Sequence, residues 1–265
     1  MKINVHAGHN PDGKKACGAI GLIKESTEAR AVKDEVIQLL EHLGHTVYDC
    51  TCDDGANASD VLTKIVKKCN AHIVDLDISI HFNAGAGDRN GNGKITGTEV
   101  LVYSIGGGAY DYAEKIASAI AELGFRNRGV KVRSDLYVLR KTKAPALLIE
   151  CCFVDDKDDA KLYNAKKMAQ AIVKGITGKK ISIEPSTVPK TPAKNDPVEC
   201  SPFKVHVIVK GLYIRKGPGT NYPTVGAITD GGVYTIIKTD KRGKWGFLKS
   251  ERGWISLGEH YVERL

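Results

Sequence analysis

The sequence predicts an α/β protein, a mostly parallel mixed sheet flanked by helices, followed by a small all-β barrel. Three observations lead there. From residue 1 to 178, period-2 apolar runs alternate with amphipathic helical patterns. Residues 179–200 contain Pro185, Pro189, Pro192 and Pro197 among Ser, Thr and Lys, the composition of a semi-extended linker. Residues 201–265 hold short strand-like runs separated by Gly, Pro, Asn and Asp, with no helical period.

The stretch LDISIHFNA, residues 76–84, organises the first domain. Leu76, Ile78 and Ile80 alternate with Asp77, Ser79 and His81, so one strand face is buried and His81 is delivered to the other. Residues 3–9 form a similar strand ending in His9, and residues 146–150 an apolar strand ending in Glu150. Between them the pattern gives a helix after Glu25, with Ala29, Val32, Val36, Leu39, Leu40 and Leu43 on one stripe. Ser26 or Thr27 serves as its N-cap and Gly44 ends it. A strand is expected at 45–50 and a helix at 59–70, capped by Ser59 or Asp60. Further strands are expected at 98–104 and 136–139, with helices at 109–123 and 158–176. In the last domain, strands are expected at 205–209, 212–215, 233–238, 245–248 and 253–255. Loops at the carboxyl ends of the first domain's strands gather His9, His81 and Glu150.

The first thirteen residues, MKINVHAGHNPDG, lack the apolar core of a secretory signal, and no run approaches the ~18 apolar residues of a membrane span. The expectation is synthesis in the cytoplasm without a signal peptide, no membrane insertion, and seven mainly reduced, structural cysteines. The net charge of +8 is uneven: residues 201–265 carry 11 Lys/Arg against 5 Asp/Glu. Such a surface is drawn to a polyanion, whether nucleic acid, acidic membrane or anionic cell wall, or is simply a solvated basic face.

Two histidines and a carboxylate with a fourth position open make a hydrolytic zinc site, and a further carboxylate can act as general base. His9, Glu25 and His81 are the candidate ligands and Glu150 the base. Glu28, one turn beyond Glu25, and His6 are alternatives; Glu25 is preferred because it precedes the helix stripe.

These residues carry a resemblance. Ala7-Gly8-His9, Glu25 at the first helix start, Ser79-Ile80-His81-Phe82-Asn83-Ala84, Gly97-Thr98-Glu99-Val100 and Pro145-Ala146-Leu147-Leu148-Ile149-Glu150-Cys151-Cys152-Phe153 resemble the zinc-dependent N-acetylmuramoyl-L-alanine amidases of the amidase-3 type. The resemblance spans 1–178. It implies zinc on His9, Glu25 and His81, Glu150 as catalytic carboxylate, and cleavage of the amide between the lactyl group of N-acetylmuramic acid and L-alanine. The first motif departs from the family's common Gly-His-Gly-Gly, reading Gly8-His9-Asn10-Pro11.

Residues 212–223, LYIRKGPGTNYP, with Lys244-Trp245-Gly246-Phe247-Leu248 and Gly253-Trp254-Ile255, resemble a bacterial SH3-type domain. This implies cell-wall binding, with Tyr213, Tyr222, Trp245 and Trp254 as candidate contacts; the alternative for Trp254 and Tyr222 is that they are barrel core, expected of at least one. The partner expected is bacterial peptidoglycan rather than nucleic acid, and the chain is expected to act as a monomer. A phage endolysin freed by a membrane-permeabilising, holin-type protein accounts for the absent signal. An enzyme released on mother-cell lysis, a zinc peptidase of the stem peptide, and a non-catalytic wall binder are the alternatives.

Finally, residues 88–99, DRNGNGKITGTE, fit a calcium-loop pattern with Asp88, Asn90, Asn92 and Glu99 as ligands. The alternative is an Asn-Gly-rich surface loop, Glu99 belonging to the amidase-like motif.

Overall fold

The computed structural model describes residues 1–179, 198–209, 211–219, 222, 224–240, 243–258 and 261–265. The chain divides into two compact units, Met1–Ser182 and Ile183–Leu265. The Pro-rich segment read at 179–200 lies outside the described residues except at its two ends.

Among the described residues, six strands of the first unit form one sheet. They are β1 (Lys2–Ala7), β2 (Thr46–Asp49), β3 (Leu76–Asn83), β4 (Thr98–Val102), β5 (Asn127–Val132) and β6 (Ala146–Phe153), in the order β2-β1-β3-β6-β4-β5. The pairings are parallel except β4 with β6. The sheet is therefore mixed, with β4 and β5 running against the other four.

Six helices accompany it: α1 (Glu25–His42), α2 (Ala58–Cys69), α3 (Tyr110–Ala121), α4 (Tyr137–Lys141), α5 (Lys157–Leu162) and α6 (Ala165–Thr177). Strand alternation splits the core in two. Ile3, Val5, Ile78, Ile80, Val100, Leu147 and Ile149 pack with residues of α1, α3 and α6. Leu101 and Leu148, on the other face, pack with Val61, Ile65 and Val66 of α2 and with Val138 and Leu139 of α4. His81, Glu99 and Glu150 lie in phase with Leu101 and Leu148, so they share the second face beyond its apolar part. No helix of the described residues is long and apolar enough to cross a membrane.

The structure corrects several sequence expectations. α1 begins at Glu25 itself; its N-cap is Lys24, without a side-chain hydrogen bond, and Ser26 is buried. α2 is capped by Asn57, whose side chain accepts from the Asp60 N–H. The strand expected at 136–139 is the helix α4, because a short apolar run carries no period that distinguishes the two. The single helix expected at 158–176 is two, since Tyr163 is extended and Asn164 caps α6 by accepting from the Lys167 N–H. β5, NRGVKV, is an edge strand whose only apolar side chains, Val130 and Val132, follow Gly129, too short a run to show a period.

In the second unit, β7 (Val198–Val207), β8 (Leu212–Arg215), β9 (Thr224–Ile228), β10 (Val233–Thr239), β11 (Trp245–Leu248), β12 (Trp254–Ser256) and β13 (Val262–Arg264) form one sheet, ordered β13-β7-β10-β11-β12-β8-β9. The pairings described are antiparallel. Val205, Ile214, Ile228, Ile236, Leu248 and Ile255 form its core. β9 and β13 are additional to the runs read in the sequence.

Candidate metal centre

Three side chains separated in sequence meet at one end of the mixed sheet. The β1 ladder is carried one residue past the strand by the Gly8 N–H, which donates to the Ile80 carbonyl at 3.0 Å. His9 follows with φ +65°, a left-handed backbone that costs energy for any residue but glycine. Its carbonyl accepts from Arg30 at 2.9 Å. The next residue, Asn10, is fully buried; its amide bonds the Lys15 carbonyl and both backbone groups of Gly55. The departure from Gly-His-Gly-Gly thus supplies an amide that pins the loop behind His9.

Glu25 opens α1 and is 4% exposed. Its Oε1 lies 3.2 Å from His9 Nε2 and 3.0 Å from His81 Nδ1, and accepts from the Phe82 N–H at 3.2 Å. Its Oε2 accepts from the Ala19 N–H at 2.7 Å. Burial works to raise the Glu25 pKa, but hydrogen bonds from His81 and His9 hold the carboxyl well below the usual range. Burial lowers the pKa of His81, with Glu25 opposing. The potential ligand atoms of His9, Glu25 and His81 lie within 4.8 Å of one another, with the two rings edge to face at 4.9 Å.

The surroundings are cut to this set. A Cβ on Gly8 would come 2.0 Å from His81 Cε1, and one on Gly18 would come 2.5 Å from Glu25 Oε2. Neutral imidazoles with one carboxylate suit zinc, and the three converge on one small volume. The residues therefore fit a divalent ion.

Neither alternative is in the converging set. Glu28 accepts from the Tyr163 hydroxyl at 2.9 Å and stands outside the converging set. His6 is buried, 3.4 Å from the Ser79 hydroxyl; burial and the neighbouring His81 bring its pKa down to about 3, so it is neutral.

Glu150 is the register partner of His81 on the adjacent strand, and Glu99 is its partner on the other side. Its Oε2 is buried with no hydrogen-bond partner. Burial, with Glu25 and Glu99 adding repulsion, pushes its pKa up to about 8. Behind it on β6, Cys151 and Cys152 are fully buried.

The residues expected to hold calcium are placed differently. Glu99 accepts from Asn83 Nδ2 at 2.9 Å and from Arg128 Nε at 2.8 Å, so both its oxygens are engaged on the sheet. Asn92 Oδ1 accepts from the Lys94 N–H within its own turn, and Asn90 is exposed. The carboxylates that gather around Asp88 come from Asp156 and Asp158. Asp158 accepts from the Asn92 and Gly93 N–H groups, and Asp155 from Gly85, Ala86 and Gly87, which fastens the loop to the β6–α5 turn. Sequence reading missed Asn83 and Arg128 as neighbours of Glu99; Arg128 sits on the strand that showed no period.

In the second unit, Tyr213 is 58% exposed, and Tyr222 is also exposed. Tyr213, Trp245 and Tyr261 line a groove of about 320 Å³ with Arg215 and Ser256. Trp254 takes the core alternative: it is 6% exposed and packs on Phe247, so its ring is part of the interior. Thr220, Asn221 and Pro223 of the SH3-type motif lie outside the described residues.

Fold and donor set define a class, the α/β proteins with a His–Glu–His metal-type site at one end of a mixed sheet. Residues 3–178 match the N-acetylmuramoyl-L-alanine amidase family, and the chain belongs to it. An uncharacterised protein of Clostridium perfringens strain 13 is 32% identical over 99% of this chain and 80% of its own length. The endolysin of Bacillus phage SPP1 is 30% identical over 64% of this chain and 60% of its own length. Among solved structures, the catalytic domain of the CD27L endolysin targeting Clostridia difficile matches with a TM-score of 0.61 and 29% identity. That match covers 68% of this chain and 99% of that one. The protein is an N-acetylmuramoyl-L-alanine amidase, a hydrolase of peptidoglycan.

Proposed function

We propose that the amide is cleaved by a zinc-dependent mechanism in which His9, Glu25 and His81 hold the ion and Glu150 carries the proton. The observation that supports this is the convergence of His9 Nε2 and His81 Nδ1 on the buried Glu25 Oε1, with the unpartnered Glu150 Oε2 one strand away. When bound, zinc lowers the pKa of its water to about 7 and polarises the scissile carbonyl. With the cation's charge favouring its ionised form, Glu150 would take a proton from water at Oε2 and deliver it to the L-alanine nitrogen as the bond to the lactyl carbonyl carbon breaks. The water oxygen remains in the lactyl carboxylate. Glu25, ionised, would share the ion with the two imidazoles whose Nε2 and Nδ1 it faces.

The second unit is proposed as an SH3-type wall-binding domain. Its antiparallel sheet, the LYIRKGPG motif, the exposed Tyr213 and Tyr222, and the basic excess support this reading. An endolysin acting as a monomer after a holin-type protein opens the membrane is the proposed setting. The relatives named endolysins support it.

End groups of digested peptidoglycan test the mechanism. New L-alanine amino termini should vanish after chelation and return with zinc. Glu150→Gln should bind the same zinc yet release about 10²–10⁴-fold less. Undiminished release by chelated protein or by Glu150→Gln would overturn the assignment.

A further inference from the structure

The row that holds Glu150 extends one strand further. His81 on β3, Glu150 on β6 and Glu99 on β4 are consecutive register partners. Between β4 and β5 the register slips: Thr98 pairs with Asn127, but Val100 pairs with Val130. Arg128 and Gly129 together oppose the single residue Glu99. Such a bulge re-aims a side chain, and Gly129 accommodates it with φ +82°. The bulge places Arg128 beside Glu99, and the row reads His81, Glu150, Glu99, Arg128.

Arg128 is firmly held there. Its Nε donates to Glu99 Oε2 at 2.8 Å, and its guanidinium lies 5.0 Å from the centre of the Phe153 ring. Glu99 is itself fixed by Asn83 Nδ2. The Arg128 side chain is 32% exposed. Its Nη1 and Nη2 have no hydrogen-bond partner among the described residues. A guanidinium placed only to neutralise Glu99 would turn its fork to the carboxylate and make two bonds. Arg128 makes one, through Nε, and keeps four N–H donors for something else.

We propose that Arg128 binds a carboxylate of the stem peptide, beyond the L-alanine whose amide is cut. The inference rests on the amidase reading of the neighbouring site. Adjacent strands are spaced ~4.8 Å, so the Arg128 backbone lies about 10 Å along the row from that of Glu150. An extended peptide advances ~3.5 Å per residue. A substrate running along the row from the scissile bond therefore brings its second or third residue to the Arg128 fork. A carboxylate there would pair with the fork through charge-assisted bonds that a carboxamide of the same shape lacks.

The test uses two soluble muramyl peptides, identical except for carboxylate or carboxamide at the second residue, with the full chain loaded with zinc. Wild type should show the lower KM on the carboxylate substrate. Arg128→Gln should raise that KM about ten- to hundredfold with kcat nearly unchanged, and leave the carboxamide substrate unaffected. Arg128→Lys, which keeps the cation but not the fork, should fall between. An equal loss on both substrates would show that Arg128 acts only through Glu99 and overturn the proposal, as would unchanged KM on both. If wild type cleaves neither substrate, the amidase reading fails and the proposal falls with it.

Discussion

His81 and Glu150 are register partners on adjacent parallel strands, 69 residues apart in sequence. The sheet sets their side chains on one face at one level, so the histidine of the metal-type set and the proposed proton carrier are positioned by backbone hydrogen bonds rather than by a loop. This rigidity is what a reaction sensitive to small displacements requires.

The environment of Glu150 makes metal-free stability depend on pH. A carboxyl raised from 4.5 to about 8 keeps its proton in the folded chain while the unfolded chain loses it. Folding stability should therefore fall as pH rises from about 4.5 to 8 and level off above. In Glu150→Gln this component vanishes, and the variant should melt above wild type at pH 8. Parallel pH profiles of melting temperature for the two metal-free proteins would remove the assignment.

Gly8 is where the fold leaves room for His81. With a Cβ arriving 2.0 Å from the ring, Gly8→Ala should displace the imidazole and lower zinc affinity at least tenfold, with activity falling alongside. Gly232→Ala, whose backbone is outside the left-handed region and whose added Cβ comes no nearer than 3.5 Å to another atom, is the control for glycine replacement. Metal content after dialysis reads the difference.

Glu25 and Glu28 are separated by one experiment. Glu25→Gln removes the carboxylate that both histidines approach and should abolish zinc retention. Glu28→Gln replaces the charged acceptor of the Tyr163 hydroxyl with a neutral one and should cost about 1 kcal/mol of stability or less while zinc stays bound. Zinc lost from Glu28→Gln and kept by Glu25→Gln would reverse the assignment.

In the second unit, Tyr213 and Trp254 should behave oppositely. Tyr213→Ala removes an exposed ring and should weaken binding to purified walls with little change in melting. Trp254→Ala empties a buried position and should cost about 3–5 kcal/mol. Wall pull-down beside thermal melting distinguishes a contact residue from a packing one.

Much of this was legible in the chain. Alternation in LDISIHFNA determines that His81 shares a polar face, because a strand has period 2. The apolar stripe after Glu25 determines a helix with that carboxylate at its start. The motifs around His9, His81 and Glu150 carry the resemblance to the amidase family. What only the tertiary structure decided are relations between strands. Register sets His81, Glu150 and Glu99 side by side, and a bulge aims Arg128 at Glu99; neither has a local sequence signal, since pairing depends on partners far away in the chain. Burial of Trp254 and the turn of Glu99 toward Asn83 and Arg128, rather than into the 88–99 loop, were decided in the same way. A side chain's neighbours across a sheet are fixed by how strands pack, and periodicity reports only which face it is on.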